Sequence, residues 1–230
     1  MSDADETWTS RVSAIAALDE PTRRRLYEFV VGQPAAVSRD EAAAAVAVPR
    51  PTAAFHLDKL VAEGLLEVVY ERRTGRSGPG AGRPSKLYRR SPEPITVSLP
   101  ERRYELAAGL LADVLHEAET SAEPPRETLR RRAHELGREL GAAARSAHGS
   151  GDPIAALRDF GYEPRTDGDT VVLVNCPFHA LAQRHTELVC GMNLRLVDGV
   201  LDGLAATGVS ARLAPQPGHC CVQLLGQPSA

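Results

Sequence analysis

The chain has 230 residues, enough for two modest domains and a connector, and its 43% hydrophobic and 25% charged residues are ordinary for a globular protein. Aromatic residues at 4% argue against a binder of single strands by base stacking, and a net charge of −3 says little about nucleic acid by itself. No apolar run approaches bilayer length, and Met1–Glu6 is acidic where a signal peptide is basic, so a cytoplasmic protein with no membrane partner is expected.

The distribution of charge says more than its sum. Residues 72–90 are strongly basic, whereas residues 3–6 and 117–127 lean acidic, so a local positive footprint coexists with an unremarkable total.

In chain order, Arg11–Leu18 and Pro21–Gly32 read as two helices, with Asp19 or Thr22 as caps for the second. Ser38 and Glu41 have the spacing of a capping box, which opens a short helix over Arg39–Ala47. Pro49 and Pro51 disfavour helical backbone in the residues before them, and Pro51 suits the first turn of the next helix. The result is a tight helix-turn-helix joint.

The second helix, Pro51–Glu63, is expected to pack Ala54, Leu57, Leu60 and Val61 on a core and to turn Thr52, Ala53, His56 and Lys59 outward. Short or hydrogen-bonding side chains near a helix N-terminus are where a recognition helix meets base edges. Gly64 ends it as a C′ glycine does. Leu65–Tyr70 and Ser85–Arg89 read as paired strands around a loop whose glycines and prolines forbid regular structure. That order is a winged helix. Thr52, Ala53 and His56 are assigned to bases, Arg50 and Lys59 to phosphates or base edges, and Arg72, Arg73, Arg76, Arg83 and Lys86 to the wing.

Beyond the linker at Ser91–Pro94, two helical patterns run over Glu101–Glu119 and Arg126–Ala147. The first carries an apolar stripe of Leu106, Leu110, Leu111, Val114 and Leu115, suited to a partner subunit or the following domain. After Gly149–Gly151 come a helix at Pro153–Phe160, a strand at Thr170–Asn175, helices at Ala180–Arg184 and Val189–Ala206, and strands at Val209–Leu213 and Cys221–Leu225. The expected fold class is therefore α+β, with a winged helix over 9–92, a helical connector or dimerisation segment over 98–148 and a cysteine-bearing domain over 152–227.

All four cysteines, Cys176, Cys190, Cys220 and Cys221, fall in the last segment, each read at the junction of an element and a loop. Backbone N–H groups at a helix start would favour the thiolate there. Three of these positions could supply sulfur ligands, with the remaining cysteine, His179 or His219 as a fourth, and such a set suits zinc or an iron–sulfur cluster. There is no CxxC pair, so buried, unrelated cysteines stand as the alternative. A thiol-redox enzyme or carrier, using the winged helix as an interaction module, is a second alternative. Against it, no GxSxG, P-loop, HExxH or dinucleotide-binding turn occurs, and the expectation is that the protein is not an enzyme.

The stretch RPTAAFHLDKLVAEGLL from Arg50 to Leu66, the wing segment GRPSKLYR from Gly82 to Arg89, and the segments NCPFH from Asn175 and CGMN from Cys190 resemble the SufR-type branch of ArsR-like winged-helix regulators. The resemblance runs from about Arg11 to the end. It implies a repressor whose operator binding is controlled by an iron–sulfur cluster, 2Fe-2S or 4Fe-4S, on Cys176, Cys190 and Cys220; as a helix-turn-helix protein it is expected to act as a homodimer on a pseudo-palindromic double-stranded operator. Better-known members have four separated cysteines where this chain has three positions and a vicinal pair, which leaves the fourth ligand and the cluster type open.

Overall fold

The computed structural model describes residues 3–71 and 84–226, with side chains from Trp8 onward, and divides into two compact units with the boundary between Val97 and Ser98. The first unit contains α1 (Asp3–Ala17), α2 (Pro21–Val31), β1 (Val37–Ser38), α3 (Arg39–Val46), α4 (Arg50–Ala62), β2 (Leu66–Glu71) and β3 (Ser85–Arg90). Glu20 caps α2, accepting from the amides of Thr22 at 3.0 Å and Arg23 at 2.6 Å, so the cap lies between the two residues expected to supply it. The capping box on α3 forms as the sequence predicts: Ser38 Oγ accepts from the Glu41 amide, and the Glu41 carboxylate accepts from the Ser38 amide at 2.7 Å.

Gly64, at φ 72°, closes α4. Its amide bonds to Val61 O and that of Leu65 to Leu60 O, both at 3.0 Å, and the buried Leu60 and Leu65 side chains accompany these paired bonds. The antiparallel sheet has the order β1-β3-β2, with Tyr88 of β3 opposite both Val37 and Val68. β1 is only two residues long, too short for a periodic pattern, and was not foreseen in the sequence.

The second unit contains α5 (Tyr104–Ala118), α6 (Pro125–His148), α7 (Pro153–Asp159), β4 (Pro164–Asp167), β5 (Thr170–Leu173), α8 (His179–Arg184), α9 (Thr186–Leu204), β6 (Ser210–Leu213) and β7 (Val222–Leu225). Its antiparallel sheet has the order β4-β5-β7-β6. The two helices read as a connector belong to this unit: Ala107, Leu110 and Val114 of α5 are buried in one core with Leu173, Phe178 and Val197, while Leu115 is left exposed.

α6 and α9 cross at backbone contact. A Cβ on Gly137, Gly141, Gly199 or Gly203 would lie 2.2 Å from Leu196 O, Val200 O, His134 O or Arg138 O respectively, so each helix presents a glycine pair four residues apart to a carbonyl of the other. His134 Nε2 and the Asp202 carboxylate, 2.9 Å apart, flank the crossing. This packing makes α9 the spine of the unit and sets where Cys190 and Asn193 lie.

Candidate nucleic-acid interface and thiol cluster

On α4 the buried residues are Ala53, Leu57 and Leu60. Ala53 has no exposure, so it is not available to bases, which corrects its assignment to the outward face. Leu57 and Leu60 are buried as expected, but Ala53 takes the central place expected of Ala54, which with Val61 is only half-buried at the edge of the stripe. The outward face instead presents Pro51, Phe55, Asp58, Lys59 and Ala62, with Thr52 half-buried beside them. Phe55 is 66% exposed and meets His56 edge-on at 5.2 Å. A phenyl ring this open on a recognition helix is a match for a thymine methyl, and it was missed because Phe usually counts as core.

His56 is turned inward. Its ring Nδ1 lies 3.4 Å from Arg23 Nε and 3.5 Å from the Glu20 carboxylate, tying α4 to the start of α2.

The cations around this face are engaged by neighbouring carboxylates: Arg50 by Asp40, Lys59 by Glu63, Arg89 by Glu67 and Lys86 by Asp58. Surface pairs of this kind are weak, so phosphate can displace the carboxylates at small cost. Asp58 does more. It receives Lys86 Nζ at 2.5 Å and the Tyr88 hydroxyl at 2.9 Å, fastening the recognition helix to the wing strand β3, while Lys86 also lies 5.1 Å from the centre of the Tyr88 ring. Burial alone would raise the Asp58 carboxyl, but those two bonds outweigh it and hold it below its ordinary range.

Arg39, Arg50 and Lys86 line one polar cleft of about 390 Å³ with Tyr70 and Ser85. Asp40, the partner of Arg50, lines it as well, so the cleft carries three cations and one carboxylate beside the wing. Arg39 was not singled out in the sequence, although a basic residue at the first position of α3 opposes the helix dipole and so signals another use. Arg72, Arg73, Arg76 and Arg83, assigned to the wing, lie outside the described residues.

In the second unit all four cysteines are buried and free. Cys176 lies in the loop after β5. The Arg102 guanidinium donates to Cys176 O at 3.1 Å and to the Asn175 carboxamide, and Asn175 Nδ2 in turn donates to Glu101 O at 3.0 Å and Gly161 O at 2.6 Å. Cys220 is placed by its own amide, which bonds to Leu173 O at 2.7 Å across the end of β5. Cys190 lies inside α9, one turn past its start, so the helix-start argument made for its thiol does not apply.

Thiol-to-thiol interactions link Cys176 to Cys220, Cys220 to Cys221 and Cys221 to Cys190. Asn193 Nδ2 donates to Cys220 Sγ at 3.2 Å, and its Oδ1 accepts from the buried Tyr162 hydroxyl.

Three of these thiols, Cys176, Cys190 and Cys220, are pushed toward the protonated form, contrary to the thiolate character expected of them. The Cys220 interaction, and then burial, raise Cys176 far above the ordinary thiol range; burial raises Cys190. For Cys220 the interaction with Cys176 favours the thiolate, but Cys221 and burial push it up to about 12. The amides of Phe178 and Val222 do favour the thiolates of Cys176 and Cys220, and are outweighed.

His179 and His219 are exposed, and His219 Nδ1 lies 3.1 Å from Pro217 O, so neither is gathered with the thiols. Among the described residues no group of three or more His, Cys, Asp or Glu side chains is arranged to hold a metal ion. The chemistry of the donors nevertheless fits a soft metal, since four buried thiols from three separate segments belong to one apolar core.

The joined helices α3 and α4 with the strand pair β2–β3 define a winged helix-turn-helix domain, the fold of DNA-binding regulators. A family model described as a helix-turn-helix domain matches residues 18–69, which covers α2 to most of β2. The comparisons with curated proteins and with solved structures gave no significant match. No helix among the described residues is long and apolar enough to cross a membrane.

Proposed function

We propose that this protein is a homodimeric transcriptional repressor of the SufR type, whose operator affinity responds to an iron–sulfur cluster, or to zinc, held by its C-terminal cysteines. The observation that carries the reading is that Cys176, Cys190 and the Cys220–Cys221 pair, three segments distant in sequence, belong to one buried core in a chain that also carries a helix-turn-helix domain. Cys176, Cys190 and Cys220 would hold the group, with Cys221 as the fourth ligand.

When bound, an iron–sulfur group supplies a charge that changes with its redox state. This chain's own residues do the rest. Loading requires the protons of the four thiols to leave, so uptake strengthens as pH rises. Asn193 orients Cys220, and the Arg102–Asn175 pair orients the Cys176 loop.

On DNA, Thr52 and Phe55 reach bases from α4. Arg39, Arg50 and Lys86 take phosphate, and the arginines at 72, 73, 76 and 83 extend the wing's grip. Two copies meet half-sites about one helical turn apart on a pseudo-palindrome.

Protein purified without air tests this by iron, sulfide and zinc analysis, followed by operator titration at fixed salt before and after chelation. Metal bound in proportion to protein, lost in Cys220→Ser, with a change in operator affinity on removal, is the expected result. Metal-free protein, or equal affinities with and without metal, overturns the sensor; absence of any retarded operator fragment overturns the repressor.

A further inference from the structure

We propose that the second unit carries a binding site for a small neutral carbonyl compound of roughly benzene size, in a cavity between α5, α6, α7 and α9. The cavity measures about 170 Å³. An apolar cavity of about 150 Å³ is enough to admit benzene. Its floor is the buried Leu196, Val197 and Val200 of α9, and its rim is the half-buried Leu106 and Phe160, through which solvent reaches it. Those walls take an apolar body.

The polar requirement comes from Arg103, which also lines the cavity. Its Nη2 donates to Asp159 O at 2.7 Å and meets the Glu101 carboxylate at 2.6 Å, yet its Nε is buried without a hydrogen-bond partner. A buried donor left unmade is costly, and an acceptor oxygen carried by an apolar molecule would relieve it.

Charge then selects among acceptors. The guanidinium is already balanced by Glu101, and Asp159, at the same rim, has its carboxylate 2.5 Å from His148 Nε2. A carboxylate ligand would add a third acidic group to this rim, whereas a ketone or ester oxygen adds none. The cavity lies away from the DNA-reading helix but shares a wall with the thiols, since Tyr162 lines it and reaches Cys220 through Asn193; the test below reads small-molecule binding alone, so its failure and that of the repressor reading are distinguishable.

Titrating the full chain with acetophenone, ethylbenzene and benzoate, followed by amide chemical shifts, tests the site. Acetophenone is expected to perturb Leu106, Phe160 and Val197 and to bind roughly fivefold more tightly than ethylbenzene, the worth of one net hydrogen bond, with benzoate weaker than acetophenone. Arg103→Lys, which keeps the charge and removes the Nε–H, should abolish the preference for acetophenone over ethylbenzene. Val200→Phe should fill the space and exclude both. No perturbation at these residues, equal affinity for acetophenone and ethylbenzene in the unmodified protein, or tighter benzoate binding would overturn the proposal, and none of these readings depends on a variant folding.

Discussion

Around the outward face of α4 the chemically active side chains are cations held by neighbouring carboxylates at the surface, whereas in the second unit they are four buried thiols held by one another. The first arrangement is built for exchange, because a phosphate replaces a carboxylate at little cost while water screens both states. The second is built for retention: burial and neighbouring thiols push Cys176, Cys190 and Cys220 toward the protonated form, and a metal taken up there has to displace those protons. A charged surface and a buried thiol cluster thus differ in how they are held as well as in what they contact.

The largest effect separates the two regions outright. Gly203→Leu would drive a side chain into Arg138 O, where even a Cβ comes within 2.2 Å of backbone, and should destabilise the second unit by about 3 kcal/mol or more. Chemical denaturation should show that loss, and Ellman titration should show the four thiols becoming reactive under conditions in which the parent protein protects them. Retained operator binding by this variant would sharpen the contrast, and unchanged thiol protection would break it.

Next in size is the exchange of phosphate for carboxylate on the first unit. Arg50→Ala and Lys86→Ala should each weaken binding to all duplexes alike and reduce the slope of log affinity against log salt by about 1. A loss confined to one operator sequence would make these side chains base readers instead. Arg39→Ala is expected to behave in the same way, since it lines the same cleft.

A smaller effect isolates base reading. Replacing thymine by uracil at the contacted operator position removes one methyl, worth roughly 0.8 kcal/mol or about fourfold in affinity. Phe55→Ala should lose that sensitivity while keeping its salt slope. If uracil substitution at every position of the half-site leaves the parent protein's affinity unchanged, the exposed ring does not read methyl groups.

The same contrast explains what could be read from the chain beforehand. Elements of the first unit are marked by local chemistry: the Ser38–Glu41 box, Pro49 at the start of α4 and Gly64 after it each act within a few residues and appear where expected, whereas Arg50 is helical despite preceding Pro51, so α4 starts one residue earlier than read. Ala53 went astray because neighbouring alanines give the periodicity no hydrophobic contrast to fix the phase of the helix. In the second unit the four cysteines were visible as candidates, but their protonation depends on contacts between β5, α9 and the start of β7, which no local spacing reports. The α6–α9 glycines were legible only as scattered weak helix formers, since their meaning lies in the facing helix. Arg103 shows nothing in the sequence either, because a missing partner is a property of the packed state.

The smallest expected effect lies where the two styles of holding charge meet, at Asp58. Its carboxyl is open to solvent like the other surface partners, yet it accepts from both Lys86 and Tyr88 and so joins α4 to β3. Because the folded carboxyl titrates below its unfolded value, its contribution to stability is complete above about pH 4, the ordinary carboxylate value, and disappears as pH falls through the lower folded value. Thermal melts of the parent protein and of Asp58→Asn between pH 7 and pH 3 should therefore differ most at neutral pH and converge at the acid end. No difference at any pH in that range would mean that the hydrogen bond from Tyr88, which the carboxamide of the Asp58→Asn variant can still accept, carries the joint without the charge.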